Sequence, residues 1–199
     1  MKVAPRKVPV QSRSREMVDA ILDGAVRAYL ASAAPSVNRI AEIAGVSIGS
    51  VYQYFPAKKA IVAAVVRRRM REIHERLLEV IEASDGCTLE EAVARFVDAI
   101  FEMKIENTQI DEVIMRVAIE NSLTDDAFAL DDELVRRFAD ALDRWKPKVR
   151  EDLPSEIAAH MLFQGLRAVL VVGAVARPDL TADERLRGEM RRLLTSYLS

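Results

Sequence analysis

Cysteine is almost absent from the 199 residues: Cys87 stands alone, so neither an internal disulfide nor a cysteine-based zinc site is expected. The two histidines, His74 and His160, do not follow a glutamate at the three-residue spacing of a di-iron helix motif. Seven glycines and seven prolines leave little punctuation and no glycine-rich phosphate loop, and no nucleophile elbow between a strand and a helix is read here. An enzyme, a metal site and a bound cofactor are therefore not expected. The longest apolar run, residues 168–176, is nine residues long, against the roughly 20 needed to span a bilayer. Residues 1–10 are basic but carry no apolar core of signal-peptide length, so a cytoplasmic location is expected.

What is present is enough to build a core: 50% of the residues are hydrophobic and 30% charged. The net charge of −2 hides an asymmetry. Residues 1–71 hold 13 Lys/Arg against 4 Asp/Glu, and residues 72–199 hold 16 against 27. A basic head on an acidic body suits a nucleic-acid partner when the basic groups share a surface.

The apolar periodicity is helical throughout. A first helix is expected over 12–30, with Met17, Val18, Ile21, Leu22, Ala25 and Tyr29 on one face. Two short helices follow, 37–44 behind a Ser36 cap and 48–55 behind Ser47, the first stopped at Gly45 and the second at Pro56. A long helix over 57–84 leads from the head. In the body the pattern predicts helices over 88–107, 110–121 and 126–149, one from Pro154 to the region before Pro178, and a last one opened by Thr181 and Glu184; Thr88 with Glu91 forms another such capping box. The carboxylates Asp125, Asp126, Asp131, Asp132 and Glu133 suit a helix start. The expected class is all-α, about nine helices, organised as a basic arm (1–11), a three-helix head (12–58) and a helical body (59–199).

Residues 36–58, Ser-Val-Asn-Arg-Ile-Ala-Glu-Ile-Ala-Gly-Val-Ser-Ile-Gly-Ser-Val-Tyr-Gln-Tyr-Phe-Pro-Ala-Lys, carry the most information. Two helices of about two turns joined at a glycine form a helix-turn-helix, whose second helix can enter a DNA major groove. Ile40, Ala41, Ile43, Val46 and Val51 supply an inward face. The hydroxyls of Ser36 and Ser47 and the adjoining helix amides suit phosphate. Lys2, Arg6, Lys7, Arg13 and Arg15 could follow the DNA backbone as an arm or stay solvated. Arg67, Arg68, Arg69 and Arg71 cannot all face one way and are expected to pair with Glu72 and Glu75.

The segment resembles the tetracycline-repressor-like (TetR/AcrR) family of transcriptional regulators. The resemblance rests on Ser36, Ile40-Ala41, Ala44-Gly45-Val46-Ser47, Gly49, Val51-Tyr52, Tyr54-Phe55 and Lys58, and with the flanking helices it covers about residues 12–70. It implies that Ile48, Ser50 and Gln53 face base edges, Gln53 suiting adenine and Ile48 a thymine methyl. It also implies that Gly49 lets the backbone approach DNA, that Tyr52, Tyr54 and Lys58 reach phosphates, and that Phe55 packs inward. The loop 31–35 lacks the family's usual glycine, and Ala57 and Lys59 replace a polar cap and an acid.

For the body the resemblance implies an effector pocket and a two-fold dimer. Phe96, Ile100, Met103, Val117, Phe138, Trp145 and Phe163 are the candidate lining, with Asn107, Arg116, Glu120, His160 and Gln164 as polar anchors. Gly165, Val169, Val172, Gly173, Leu186, Met190, Leu193 and Leu194 are the candidate dimer residues, on two helices that would form a four-helix interface. The expected function is a repressor that binds a palindromic operator as a homodimer and is released by a small-molecule effector. The alternative is a structural or division-type DNA-binding factor on the same scaffold, without an effector.

Overall fold

A computed structural model describes residues 12–123, 132–144, 149–167 and 183–199, and among them every regular element is an α-helix. These are α1 (Ser12–Ala31), α2 (Val37–Ala44), α3 (Ile48–Tyr54), α4 (Lys58–Ala83), α5 (Leu89–Glu120), α6 (Asp132–Arg144), α7 (Ser155–Arg167) and α8 (Glu184–Leu198). No helix among the described residues is long and apolar enough to cross a membrane.

The helix ends follow local chemistry where a capping residue is present. Ser36 takes an extended conformation and its hydroxyl accepts from Arg39 N; Gly45, at φ +69°, closes α2 in the left-handed region that an L side chain enters only with strain. Thr88 and Glu91 bond reciprocally, Thr88 N donating to Glu91 Oε2 at 2.9 Å and Glu91 N to Thr88 Oγ1 at 3.2 Å, and so open α5. The cap of α8 is Asp183, whose carboxylate accepts from Arg185 N at 2.9 Å; the predicted cap, Thr181, lies outside the described residues.

One predicted break is absent. Instead of two helices over 88–107 and 110–121, α5 is continuous for 32 residues. Asn107 and Thr108 are weak helix formers, but neither is proline or glycine, so the backbone ladder has no reason to stop. Beyond them Ile114, Met115, Val117 and Ala118 are buried, and that packing holds the second half of the helix in register. α5 ends where Ser122 turns to φ +52° and Leu123 N donates back to Ala118 O.

The described residues divide into two compact units: 12–71 with 108–123, and 72–107 with 132–144, 149–167 and 183–199. α4 and α5 therefore each contribute residues to both. The core of the first unit gathers Ile21, Leu22, Ala25 and Tyr29 of α1, Ile40 and Ala41 of α2, Val51 of α3, Phe55, and the Ala60–Val66 stretch of α4, together with Ile114, Val117 and Ala118 of α5. Ion pairs trim it. Arg68 meets Asp23 at 2.8 Å, and Arg69 grips both oxygens of Asp111, at 2.6 and 3.0 Å. These partners lie on α1 and α5.

The core of the second unit joins Leu77 and Ile81 of α4, Leu89 to Phe101 of α5, Phe138 to Leu142 of α6, Ala158 to Phe163 of α7 and Met190, Leu194 and Leu198 of α8. Asp98 of α5 receives hydrogen bonds from Arg187 (2.6 Å) and from Arg191, both on α8. Burial alone would raise the Asp98 pKa, but the two arginines outweigh it and hold the carboxyl below its ordinary value.

Candidate nucleic-acid interface

α2 and α3 are short, and neither would persist alone. They are held by α1 beneath them: Ile40, Ala41 and Val51 turn into the core with Ile21, Leu22 and Ala25, and Phe55 closes it at 1% exposure. Arg27 adds a tie by donating to Ile43 O at 3.0 Å. Gly24 allows the close contact of α1 with α2, since a Cβ there would lie 2.7 Å from the Ala44 Cβ.

With Val51 fixed inward, the opposite side of α3 is displayed. Ile48, Gly49, Tyr52 and Gln53 are exposed and, at positions i, i+1, i+4 and i+5, share one face. Ile48 and Tyr52 are large apolar or aromatic groups left 38% and 47% exposed, which nothing in the unit's own packing requires. At the helix start the Ser47 hydroxyl accepts from Ser50 N at 3.0 Å and lies 2.8 Å from Ser50 Oγ, so Ser50 is half-buried and engaged. Gly45 to Gly49 also spell Gly-x-Ser-x-Gly, but Ser47 is here a helix cap following a helix, without the preceding strand of a nucleophile elbow.

Ser36, Ser47, Ile48, Gly49, Tyr52 and Gln53 are thus presented to solvent by α2, α3 and the turn between them. Tyr54 is half-buried, with its hydroxyl 3.5 Å from Ser14 Oγ of α1. Lys58 is half-buried too, and its ammonium donates to Pro35 O at 2.9 Å. Arg39, exposed on α2 and 2.8 Å from Glu42, was not singled out from the sequence; its place one turn into α2 was the available signal. The arm residues Lys2, Arg6 and Lys7 lie outside the described residues.

The effector candidates separate. Phe96, Phe138 and Phe163 form a closed trio in the second unit, with ring centroids 5.1 to 5.5 Å apart. Ile100 and Met103 pack against the same core. Beside the trio lies a cavity of about 20 Å³, lined by apolar groups and Ser84, whose hydroxyl is already bonded to Val80 O. That volume holds about one water molecule. Arg116, Val117 and Glu120 belong to the other unit: Val117 is core, and Arg116 pairs with Glu120 at 3.5 Å on the surface. His160 is exposed in an open groove of about 500 Å³ with Val135, Arg136, Glu156, Ile157 and Met161. Trp145 and the side chains of Asn107 and Gln164 lie outside the described residues. Among the described residues no three or more of His, Cys, Asp and Glu gather as a metal site would need.

The dimer candidates divide by helix face. Met190 and Leu194 turn into the core, Leu186 is half-buried, and Leu193 is 65% exposed. Gly165 is exposed on α7, and so are Ile157 and Met161, two turns and one turn before it on the same face, which the sequence reading missed although their i, i+4, i+8 spacing was available. Val169, Val172 and Gly173 lie outside the described residues.

Residues 21–65 match the family described as bacterial regulatory proteins, tetR family, and residues 88–198 match the tetracyclin repressor-like C-terminal domain. No curated protein matches the chain. Among solved structures it is similar to a protein of Mesorhizobium loti described as a TetR-family transcriptional regulator, at a TM-score of 0.69 and 16% identity over 94% of this chain and 95% of that one. It is also similar to the transcriptional regulator FadR of Bacillus subtilis in complex with stearoyl-CoA (TM-score 0.61, 21% identity, 93% and 99% covered). A third is SmeT, repressor of the Stenotrophomonas maltophilia multidrug efflux pump SmeDEF (TM-score 0.60, 22% identity, 92% of each chain). At these identities the structures share the fold, and it is the two domain matches, together with the displayed face of α3, that identify the chain as a member of the TetR family of transcriptional regulators.

Proposed function

We propose that the protein is a homodimeric repressor that reads a palindromic operator with α3 and leaves it when a small molecule enters the body. The observation that carries the DNA reading is the exposed face of Ile48, Gly49, Tyr52 and Gln53, held by a fully packed inner side. Gln53 would pair with an adenine edge and Ile48 would meet a thymine methyl, while Tyr52, Ser36 and Ser47 would fix the register on phosphates. The outward stripe Ile157, Met161 and Gly165 of α7 and the exposed Leu193 of α8 would form the dimer surface, giving the two heads that two half-sites about one DNA turn apart require.

Release would be a population shift. α4 and α5 run through both units, so a ligand that binds better to one arrangement of the body would bias the heads. The ligand would be largely apolar, since Phe96, Phe138 and Phe163 and their neighbours offer it little else. The tightness of that trio favours a second reading, a DNA-binding factor without an effector.

Selection from a randomised duplex pool by wild type and by a Tyr52→Ala, Gln53→Ala variant tests the first step, with sedimentation giving the oligomeric state. Enrichment of a palindrome by a wild-type dimer alone supports the repressor. Titration of the complex with stearoyl-CoA and a panel of apolar ligands then separates the two readings: release by any of them favours the effector, and none in the whole panel favours the structural factor.

A further inference from the structure

Lys58 opens α4, the place where a cation could meet the DNA backbone, yet its side chain is committed elsewhere. The ammonium donates to Pro35 O at 2.9 Å, across 23 residues of sequence, and stands 5.6 Å from the centroid of the Tyr29 ring. Pro35 is buried and Tyr29 is 7% exposed, so the cation is fastened to the interior side of the loop between α1 and α2. Burial, reinforced by the Glu120 carboxylate, raises the Tyr29 phenol above its ordinary pKa, and the face of a neutral aromatic ring attracts a cation.

The carbonyl that Lys58 holds belongs to the peptide joining Pro35 to Ser36. No peptide bond among the described residues is cis, and in a trans peptide the C=O and N–H point in opposite directions. Fixing Pro35 O inward therefore turns the Ser36 N–H outward, on the exposed residue that also caps α2 by accepting from Arg39 N at 3.1 Å. One lysine thus sets the plane of the peptide that precedes the cap. Lys59, next along α4, has a separate side chain and is no part of this contact.

We propose that Lys58 is a positioning residue, acting on DNA through the Pro35–Ser36 peptide and the start of α2 instead of contacting a phosphate itself. The proposal rests on the DNA-reading face described above and departs from the role the family resemblance implies for this lysine. A phosphate ligand and a positioning residue differ in what their loss does to salt dependence. Each phosphate neutralised contributes about 0.9 to the slope of log affinity against log salt, whereas a residue that only orients uncharged donors leaves the slope unchanged.

The experiment compares wild type, Lys58→Ala and Lys58→Arg on the duplex enriched from the pool, between about 50 and 200 mM salt, and follows amide hydrogen exchange of the free full-length proteins. Lys58→Ala is expected to weaken binding roughly tenfold at every salt concentration, as for one lost charge-assisted contact, with the slope unchanged. Exchange at residues 36–39 is expected to quicken while α1 and α3 stay protected, and arginine, which can still donate to Pro35 O and cover Tyr29, is expected to restore both properties. A slope shallower by about 0.9 with unaltered exchange would make Lys58 a phosphate ligand and overturn the proposal; so would unchanged affinity, or faster exchange throughout α1 to α4, which would mark a merely structural role. If the wild type selects no duplex, the DNA-reading function fails on its own account, and the exchange pattern at 36–39 still decides whether Lys58 orients that peptide.

Discussion

Gly24 of α1 and Ala44 of α2 approach so closely that a Cβ on the glycine would lie 2.7 Å from the alanine Cβ, 2.9 Å from its nitrogen and 3.0 Å from its Cα. Two of the three obstacles are backbone, which cannot rotate away as a side-chain tip could. Gly24→Ala gains about 1 kcal/mol of helix propensity, and overpacking of this kind costs about 1 to 3 kcal/mol. The clash should win, lowering unfolding free energy by up to about 2 kcal/mol in a urea titration, and DNA affinity should fall with it because α2 is displaced. A stabilised variant would mean that α1 and α2 are farther apart than described.

Gly49 is the opposite case. It lies inside α3 at an ordinary helical φ, and a Cβ there would meet only Ser47 Oγ at 3.7 Å, an unstrained contact. Nothing among the described residues asks for a glycine, and the helix gives up about 1 kcal/mol by having one. Gly49→Ala should therefore raise unfolding free energy by up to about 1 kcal/mol while weakening binding to the selected duplex, because the added methyl stands on the face proposed to approach DNA. Equal or tighter DNA binding by the alanine variant would remove Gly49 from the interface.

These two glycines show how unevenly the structure was written into the sequence. The boundaries of α2 and α3 were readable because Ser36, Gly45, Ser47 and Pro56 act within a few residues of themselves. The continuity of α5 was not: Asn107 and Thr108 are weak helix formers, and what carries the helix through is the burial of Ile114 and Val117 against residues far away in sequence. Nor did periodicity reveal which edge of α8 faces in, since Met190, Leu193 and Leu194 fall on neighbouring sides and only packing in the core of the second unit decides between them. At the site, the outward place of Ile48, Tyr52 and Gln53 was implied by the resemblance of a short local motif, whereas the inward turn of Lys58 depends on a carbonyl 23 residues away.

Asp98 links stability to pH. Its burial favours the neutral acid, but hydrogen bonds and charge from Arg191 and Arg187 outweigh that and lower its pKa from 3.8. A carboxyl whose folded pKa is lowered stabilises the fold above its unfolded pKa and loses that contribution as pH falls through the folded value. At neutral pH Asp98→Asn should cost about 1 to 2 kcal/mol, more than an exposed pair and less than a fully buried one, because Arg191 is 40% exposed. The gap between wild type and variant in urea midpoint should hold from neutrality down to about pH 4 and close below it. A gap that persists undiminished at pH 2 would mean the Asp98 charge is not what joins α5 to α8.

The aromatic trio makes the last prediction. Phe138 stands 5.1 Å from both Phe96 and Phe163, ring centroid to centroid, and is 5% exposed. Truncation to alanine removes both ring contacts and opens a space next to the existing cavity of about 20 Å³, whose lining is apolar and has no polar atom in need of water. Phe138→Ala should cost about 3 to 5 kcal/mol, the usual loss for a buried phenylalanine that leaves a cavity. An apolar cavity enlarged by a whole phenyl ring, to roughly 150 Å³, stays dry and accepts small aromatic ligands. Benzene should therefore return part of the lost stability to the variant, by the logarithm of its concentration over its dissociation constant, and give wild type much less. A thermal unfolding series with and without benzene measures both quantities. If wild type gains as much as the variant, the three rings already part in solution, and the body admits an apolar ligand without any mutation.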